Sequence, residues 1–162
     1  MSDRADIEIL TEQERRLVFA SLNEEDAFLI GSALKTRADA QNAPIVIDVS
    51  LFDRRLFYFA RPGSTCDNED WVRRKVNLVR RLHKSSYRIG KELAAAGTTL
   101  ADRNLAATDY AAAGGSFPIR LANAGVIGTV TISGLPQRED HNWVASAIAA
   151  HMAIDISDIA LP

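Results

Sequence analysis

Residues 114–143 read GGSFPIRLANAGVIGTVTISGLPQREDHNW, and the parsing of this stretch decides the fold. Gly114 and Gly115 turn the chain into a short strand, Phe117 to Leu121. Asn123-Ala124-Gly125 reverses it, and Val126 to Ile132 runs back with the β-branched residues a strand favours. Pro136 suits the first turn of a final helix, which would bury Trp143, Val144, Ala147, Ile148 and Met152. The stretch is therefore a hairpin followed by the launch of a helix. Polar residues gather at its two seams, Gly114–Ser116 and Ser133–His141, where strand ends and helix starts leave backbone N–H groups free.

Working outward, Ile45 to Leu51 and Leu56 to Phe59 flank the polar turn Asp53-Arg54-Arg55 and predict a second antiparallel hairpin. Asn23 caps a helix running to about Ala40, with acids Glu24, Glu25 and Asp26 at its positive end. Pro44 closes that segment. Asp67 or Asn68 caps the longest helix, in which Val72, Val76, Val79, Leu82, Ile89 and Leu93 keep helical spacing as far as about Ala96, and Gly97 stops it. Thr98 to Ala113 reads as a short helix and connector. Ile7 to Arg16 is a short amphipathic helix or arm, and Leu17 to Ala20 is a brief first strand. Paired strands separated by helices predict an α+β domain with an antiparallel sheet of about five strands. Nothing in the 162 residues marks an internal boundary, so one domain over 1–162 is expected.

Composition bounds the function. Apolar residues make up 47% and charged residues 25%, with a net charge of −2, so no global field favours nucleic acid or an acidic membrane. MSDRADIEIL lacks the basic start and apolar core of a signal peptide. No apolar run approaches the ~20 residues of a membrane span. The single cysteine, Cys66, excludes an internal disulfide and fits a reducing compartment. A cytoplasmic protein is the expectation.

Three separated motifs carry a family resemblance. GGSFPI (Gly114 to Ile119), G-x-x-G-x-V-x-I-S-G (Gly125 to Gly134) and Asp140-His141 before an alanine-rich helix resemble the haem-degrading, GlcG/HbpS-like domain superfamily. PGSTCDNEDWVRRK (Pro62 to Lys75), SSY (Ser85 to Tyr87) and SGLPQREDH (Ser133 to His141) are similar to its uncharacterised bacterial and fungal branch, although Cys66 stands where that branch often has proline. The resemblance implies a profilin-like sandwich, a five-stranded antiparallel sheet with helices on its faces, and assembly into dimers or larger rings. It also implies haem or another tetrapyrrole as a ligand, since some members bind or degrade haem.

The candidate ligand site follows from these seams and from the start of the basic helix: Trp71, Arg74, Lys75, Gly114, Gly115, Ser116, Phe117, Ser133, Gly134, Arg138, Asp140 and His141. Arg73, Arg74, Lys75, Arg80, Arg81, Lys84, Arg88 and Lys91 put eight of the 19 basic residues on that helix. They read as a solvated face, as a subunit interface, or as a holder of a small anionic ligand through bidentate arginines. The glycines either admit an anion to backbone N–H groups or only turn the chain. His141 is either a haem-iron ligand or acid–base group, or a helix-start residue bonded to a neighbouring loop. His151 lies ~15 Å of helix rise away and cannot share a metal with it, so no zinc site is expected. No spacing supports a catalytic triad. The functional readings are an oligomeric small-ligand-binding module, an assembly scaffold whose arm (Met1 to Arg16) and tail (Asp155 to Pro162) pack on a partner chain, and an enzyme acting on a small organic acid.

Overall fold

The computed structural model describes residues 3–162. Five helices and four strands follow one another as α1 (Asp3–Arg16), α2 (Glu24–Ala40), β1 (Val46–Leu51), β2 (Arg55–Ala60), α3 (Cys66–Leu82), α4 (Ser86–Ala96), β3 (Ser116–Leu121), β4 (Gly125–Ser133) and α5 (Gln137–His151), with 3-10 turns at Ala101–Arg103 and Ser157–Ile159. The two hairpins join through β1 and β4 into an antiparallel sheet of order β2-β1-β4-β3. The expected five strands are four. The segment predicted as a first strand makes one parallel bridge, Phe19 to Leu121, in which Phe19 donates to the Arg120 carbonyl and accepts from the Ala122 amide. Leu17 turns inward as core instead of extending the ladder.

The sheet has two unlike faces, as its alternating registers require. On one, Ile47, Val49, Val130, Ile132, Phe117 and Ile119 pack with Ile30 and Leu34 of α2 and Trp143, Val144 and Ile148 of α5. Each fully buried large aliphatic there contributes about 1.5–3 kcal/mol. The other face is polar, and α3 covers it. Asp48 pairs with Tyr58 on β2 and Thr131 on β4, and Thr131 pairs with Ser116 on β3. The Ser116 and Thr131 hydroxyls are 2.8 Å apart. Buried Thr129 and Ser133 continue the row along β4.

Expectation and structure differ at three helical positions. The predicted long helix is two, because His83 adopts a left-handed conformation (φ 57°) and Ser85 caps a new helix by accepting the Arg88 amide. Its start lies earlier than expected, at Cys66; Thr65 is the cap, and Asn68 accepts the Thr65 amide at 2.9 Å. Pro136 precedes α5 as its cap instead of occupying its first turn.

The arm and tail expected to reach a partner pack on their own chain; Met1 and Ser2 of that arm lie outside the described residues. Helix α1 buries Asp6, Leu10, Gln13 and Glu14. Lys91 of α4 and Arg138 of α5 both hold Asp6, at 3.0 and 2.7 Å. Glu14 accepts from the Ser85 amide and the Arg88 guanidinium, each at 2.8 Å. The tail returns along α1: Arg16 pairs with Asp158, Gln13 donates to the Ile159 carbonyl, and Leu161 is buried. A mostly polar seam therefore anchors α1. Replacing Glu14 by alanine strands the Ser85 amide and the Arg88 charge, and the expected cost is about 1–3 kcal/mol. Urea unfolding measures it, with accelerated amide exchange in α1.

Candidate functional site

Helices α3 and α5 lie on opposite faces of the sheet, and their N-termini converge beyond the end of β4. Between them is a cleft of about 300 Å³ lined by Asp67, Asn68, Trp71, Lys75, Ala113, Ser133, Gly134, Leu135, Gln137 and Asp140. Two helix starts therefore face one volume, each with the partial positive charge of a helix N-terminus. Among the side chains, exposed Asp67 stands at the rim, and Lys75 and Asp140 are buried together at the floor.

The Lys75 ammonium is 3.1 Å from the Asp140 carboxylate and donates to the Ile132 carbonyl at 3.2 Å. The second Asp140 oxygen accepts the Leu135 amide at 3.1 Å, and the Gly134 amide also bonds this carboxylate. The anion-binding corner read at Ser133-Gly134 is thus occupied by the chain's own carboxylate, reaching back from the first turns of α5. Burial lifts the Asp140 carboxyl to about 6 against the pull of Lys75 and the two amides. Burial likewise pushes the Lys75 ammonium below its ordinary value, against the pull of Asp140. For both groups desolvation outweighs pairing.

Gly114 and Gly115 serve this arrangement. A Cβ on Gly115 would come within 2.7 Å of the Lys75 nitrogen and 2.5 Å of the Ile132 carbonyl, and one on Gly114 would meet the Gln137 carbonyl at 1.9 Å. Gly115 also has φ 123°, a conformation side chains rarely adopt. The pair of glycines leaves room for a buried amine and lets α5 start against the sheet.

Of the twelve candidate residues, Trp71, Lys75, Ser133, Gly134 and Asp140 line the cleft. Arg74 stacks on the Trp71 ring at 4.1 Å and pairs with Asp70. Ser116 is buried, bonded to Thr131, and Phe117 is core. Arg138 points away, to Asp6 and the Pro162 carbonyl. His141 is 1% exposed between the rings of Tyr87 and Phe117, and its Nε2 lies 2.8 Å from the Gln13 side-chain oxygen. Since the Gln13 amide nitrogen donates to Ile159, its oxygen faces His141 and Nε2 carries the proton. Burial first, and Arg138 second, pull the His141 pKa down to about 3. The imidazole lines none of the cleft. The basic surface is also largely consumed: Arg73 and Arg74 hold Asp70, Lys84 holds Glu92, Arg88 holds Glu14 and Glu92, and Lys91 holds Asp3 and Asp6.

The sequence reading missed Asp67, Asn68 and Ala113 of the lining, and within the seam Ser133–His141 it did not single out Leu135 and Gln137. A signal was present in Lys75 itself, which interrupts the apolar stripe Val72–Val79 on the buried side of α3. A second cavity of about 450 Å³ on the other side of α3, floored by Asp48 and Ser50 and bordered by Cys66 and Glu69, was also missed. It has an analogous signal, a charged residue inside the apolar run IVIDVSL.

Replacing Lys75 by methionine leaves Asp140 buried without its counter-charge, for an expected loss of about 3–5 kcal/mol in urea unfolding. The two neighbouring titrations oppose each other. Asp140 keeps its proton to about 6 in the folded protein and only to 3.8 unfolded, so its contribution is present below 3.8 and lost as pH rises through 6. His141 takes a proton near 6.5 unfolded but resists to about 3 when folded, so its contribution is present above 6.5 and lost as pH falls. Stability measured against pH should lose the first slope in Asp140→Asn and the second in His141→Asn.

Comparison with known proteins places this geometry in a family. The model of the family described as haem degrading protein HbpS-like matches residues 22–149. A UPF0303 protein of Brucella canis is 51% identical over 151 residues, covering 93% of this chain and 89% of the relative. Among solved structures, that of Ybr137w protein superposes with a TM-score of 0.85 at 27% identity over 93% of this chain and 92% of the other. The crystal structure of a PduOC:Heme complex superposes with a TM-score of 0.66 at 18% identity, over 80% of this chain and 94% of the other, a likeness of fold. With the family model spanning most of the chain and half its residues shared with the Brucella relative, the protein belongs to the HbpS-like haem-degrading protein family.

Proposed function

We propose that the protein is a small-ligand-binding module whose cleft between the starts of α3 and α5 takes a carboxylate-bearing ligand. The observation that carries this reading is the convergence of two helix N-termini on one cleft with a buried lysine at its floor, since helix starts favour anions. Trp71, half-buried at the wall, supplies a flat apolar surface for the body of the ligand. Titration with acetate or pyruvate tests it: the amides of Asn68, Gly134 and Gln137 should shift together and saturably. Absence of any shift there would sink the reading.

A haem ligand is favoured by the family's description as haem-degrading and by the PduOC neighbour, whose structure is that of a haem complex. Among the described residues, the lining contains no histidine, cysteine, methionine or tyrosine, and its one amine, Lys75, is taken by Asp140. His141 lies outside the lining, fully buried, with Nε2 given to Gln13 and Nδ1 enclosed. The cleft residues of this chain thus do not fit haem held through its iron; they fit its propionates. A haemin titration should give a Soret change that Trp71→Ala weakens and His141→Asn leaves intact. Dependence on His141 would contradict this assignment.

Self-association accompanies ligand binding in this proposal. Among the described residues strand β2 is a free sheet edge, and beside it Phe28 and Leu29 of α2 are 55% and 54% exposed, Phe28 lying edge-on to Phe57 of β2 at 6.2 Å. An unpaired edge flanked by exposed apolar side chains suits pairing with a second copy. Phe28→Glu with Leu29→Glu should lower the sedimentation coefficient to that of the monomer. An unchanged value would exclude this surface.

A further inference from the structure

The chain has four lysines, and they divide sharply. Lys35 pairs with Asp39, Lys84 with Glu92, and Lys91 with Asp3 and Asp6, all with partly exposed side chains. The contacts of Lys91 push its pKa up to about 12. Lys75 alone is buried, at 3% exposure, and it stands at the floor of a cleft. Its partner is a carboxylate held rigidly from behind by two backbone amides, leaving the facing oxygen for the amine. Gly115 keeps the volume beside the nitrogen free of a side chain.

An amine in such a setting can shed a proton to its neighbour and act as a nucleophile. We propose that Lys75 forms an imine with a short 2-oxo acid bound in the cleft, with Asp140 as its proton partner. The proposal rests on the carboxylate-binding reading, because the acid group would be held by the two helix starts while the carbonyl carbon meets the amine.

The step balances within the pair. The Lys75 ammonium passes one proton to Asp140, and the freed lone pair attacks the carbonyl carbon. A C–N bond forms, and the carbonyl oxygen takes the Asp140 proton. Asp140 removes a proton from the nitrogen and returns it to the new hydroxyl. The C–O bond breaks, water leaves, and the nitrogen lone pair closes the C=N bond. Ammonium and ketone have become iminium and water, and the iminium charge remains opposite the Asp140 carboxylate. Burial favours the first transfer because it disfavours both charged partners. Each unit by which the amine's pKa falls raises its reactive neutral fraction about tenfold.

The test is reductive trapping. The full chain is incubated at neutral pH with pyruvate and cyanoborohydride, and the modified lysines are mapped by peptide mass spectrometry. In parallel, lactate, which has the carboxylate and no ketone, is titrated against the Asn68, Gly134 and Gln137 amides. The proposal expects one dominant reduced adduct on Lys75. That adduct is lost in Lys75→Arg and falls severalfold in Asp140→Asn, which keeps an oxygen for the Leu135 amide while removing the proton acceptor. Circular dichroism verifies folding of both variants. Adducts spread evenly over Lys35, Lys84 and Lys91, or a Lys75 adduct indifferent to Asp140→Asn, overturn the imine. If lactate still shifts the cleft amides in that case, the carboxylate reading stands alone. With neither amide shifts nor a Lys75 adduct, both readings fall.

Discussion

One ion pair ties this structure together at the point where its layers meet. Lys75 comes from the helix on the polar face of the sheet and Asp140 from the first turns of the helix on the apolar face, and they join around the end of β4. Around them, Gly115 gives up its side chain, the Ile132 carbonyl is turned to the amine, and the Gly134 and Leu135 amides are committed to the carboxylate. Such a pair is an indifferent source of stability, because two charges are desolvated to form it. Its worth is in position. It fixes where α3 and α5 begin relative to each other, and the cleft is the space left between those beginnings.

The same constraint explains which parts of the fold were legible in the sequence. Hairpins and helices are local decisions, written in β-branched runs, in Asn123-Ala124-Gly125 and in the capping residue Asn23, whose side chain accepts the Asp26 amide as expected. The break at His83 left no glycine or proline to announce it; only Ser85, an ordinary cap residue, hinted that a second helix begins there. The fifth strand failed for a related reason. Four residues sufficed to predict extended chain, but the inward turn of Leu17 depends on a core assembled from distant segments.

The site was legible in kind and illegible in cause. Its glycines and its polar seam stood out, but the reasons for the glycines lie far along the chain, the Gln137 carbonyl for Gly114 and, for Gly115, the Ile132 carbonyl and a lysine forty positions upstream. His141 looked available because its partner, Gln13, lies 128 residues away, and the Tyr87 and Phe117 rings that enclose it belong to two other elements. Charged residues inside apolar stripes were the better guide. Lys75, Asp48 and Asp6 each violate the pattern of their own element, and each is a buried charge tying that element to another.

The unlike faces of the sheet also give the protein two kinds of cohesion with different responses to temperature. The layer shared with α2 and α5 is held by aliphatic and aromatic burial, whose driving force fades on cooling. The layer under α3 adds hydroxyls, a carboxylate and the lysine pair to the buried Val72 and Val79, so hydrophobic burial is a smaller share of its cohesion. Cooling therefore weakens the hold of α2 and α5 on the sheet more than it weakens that of α3. The cleft, built from one helix of each layer, thus joins two walls whose footing on the sheet responds differently to cold.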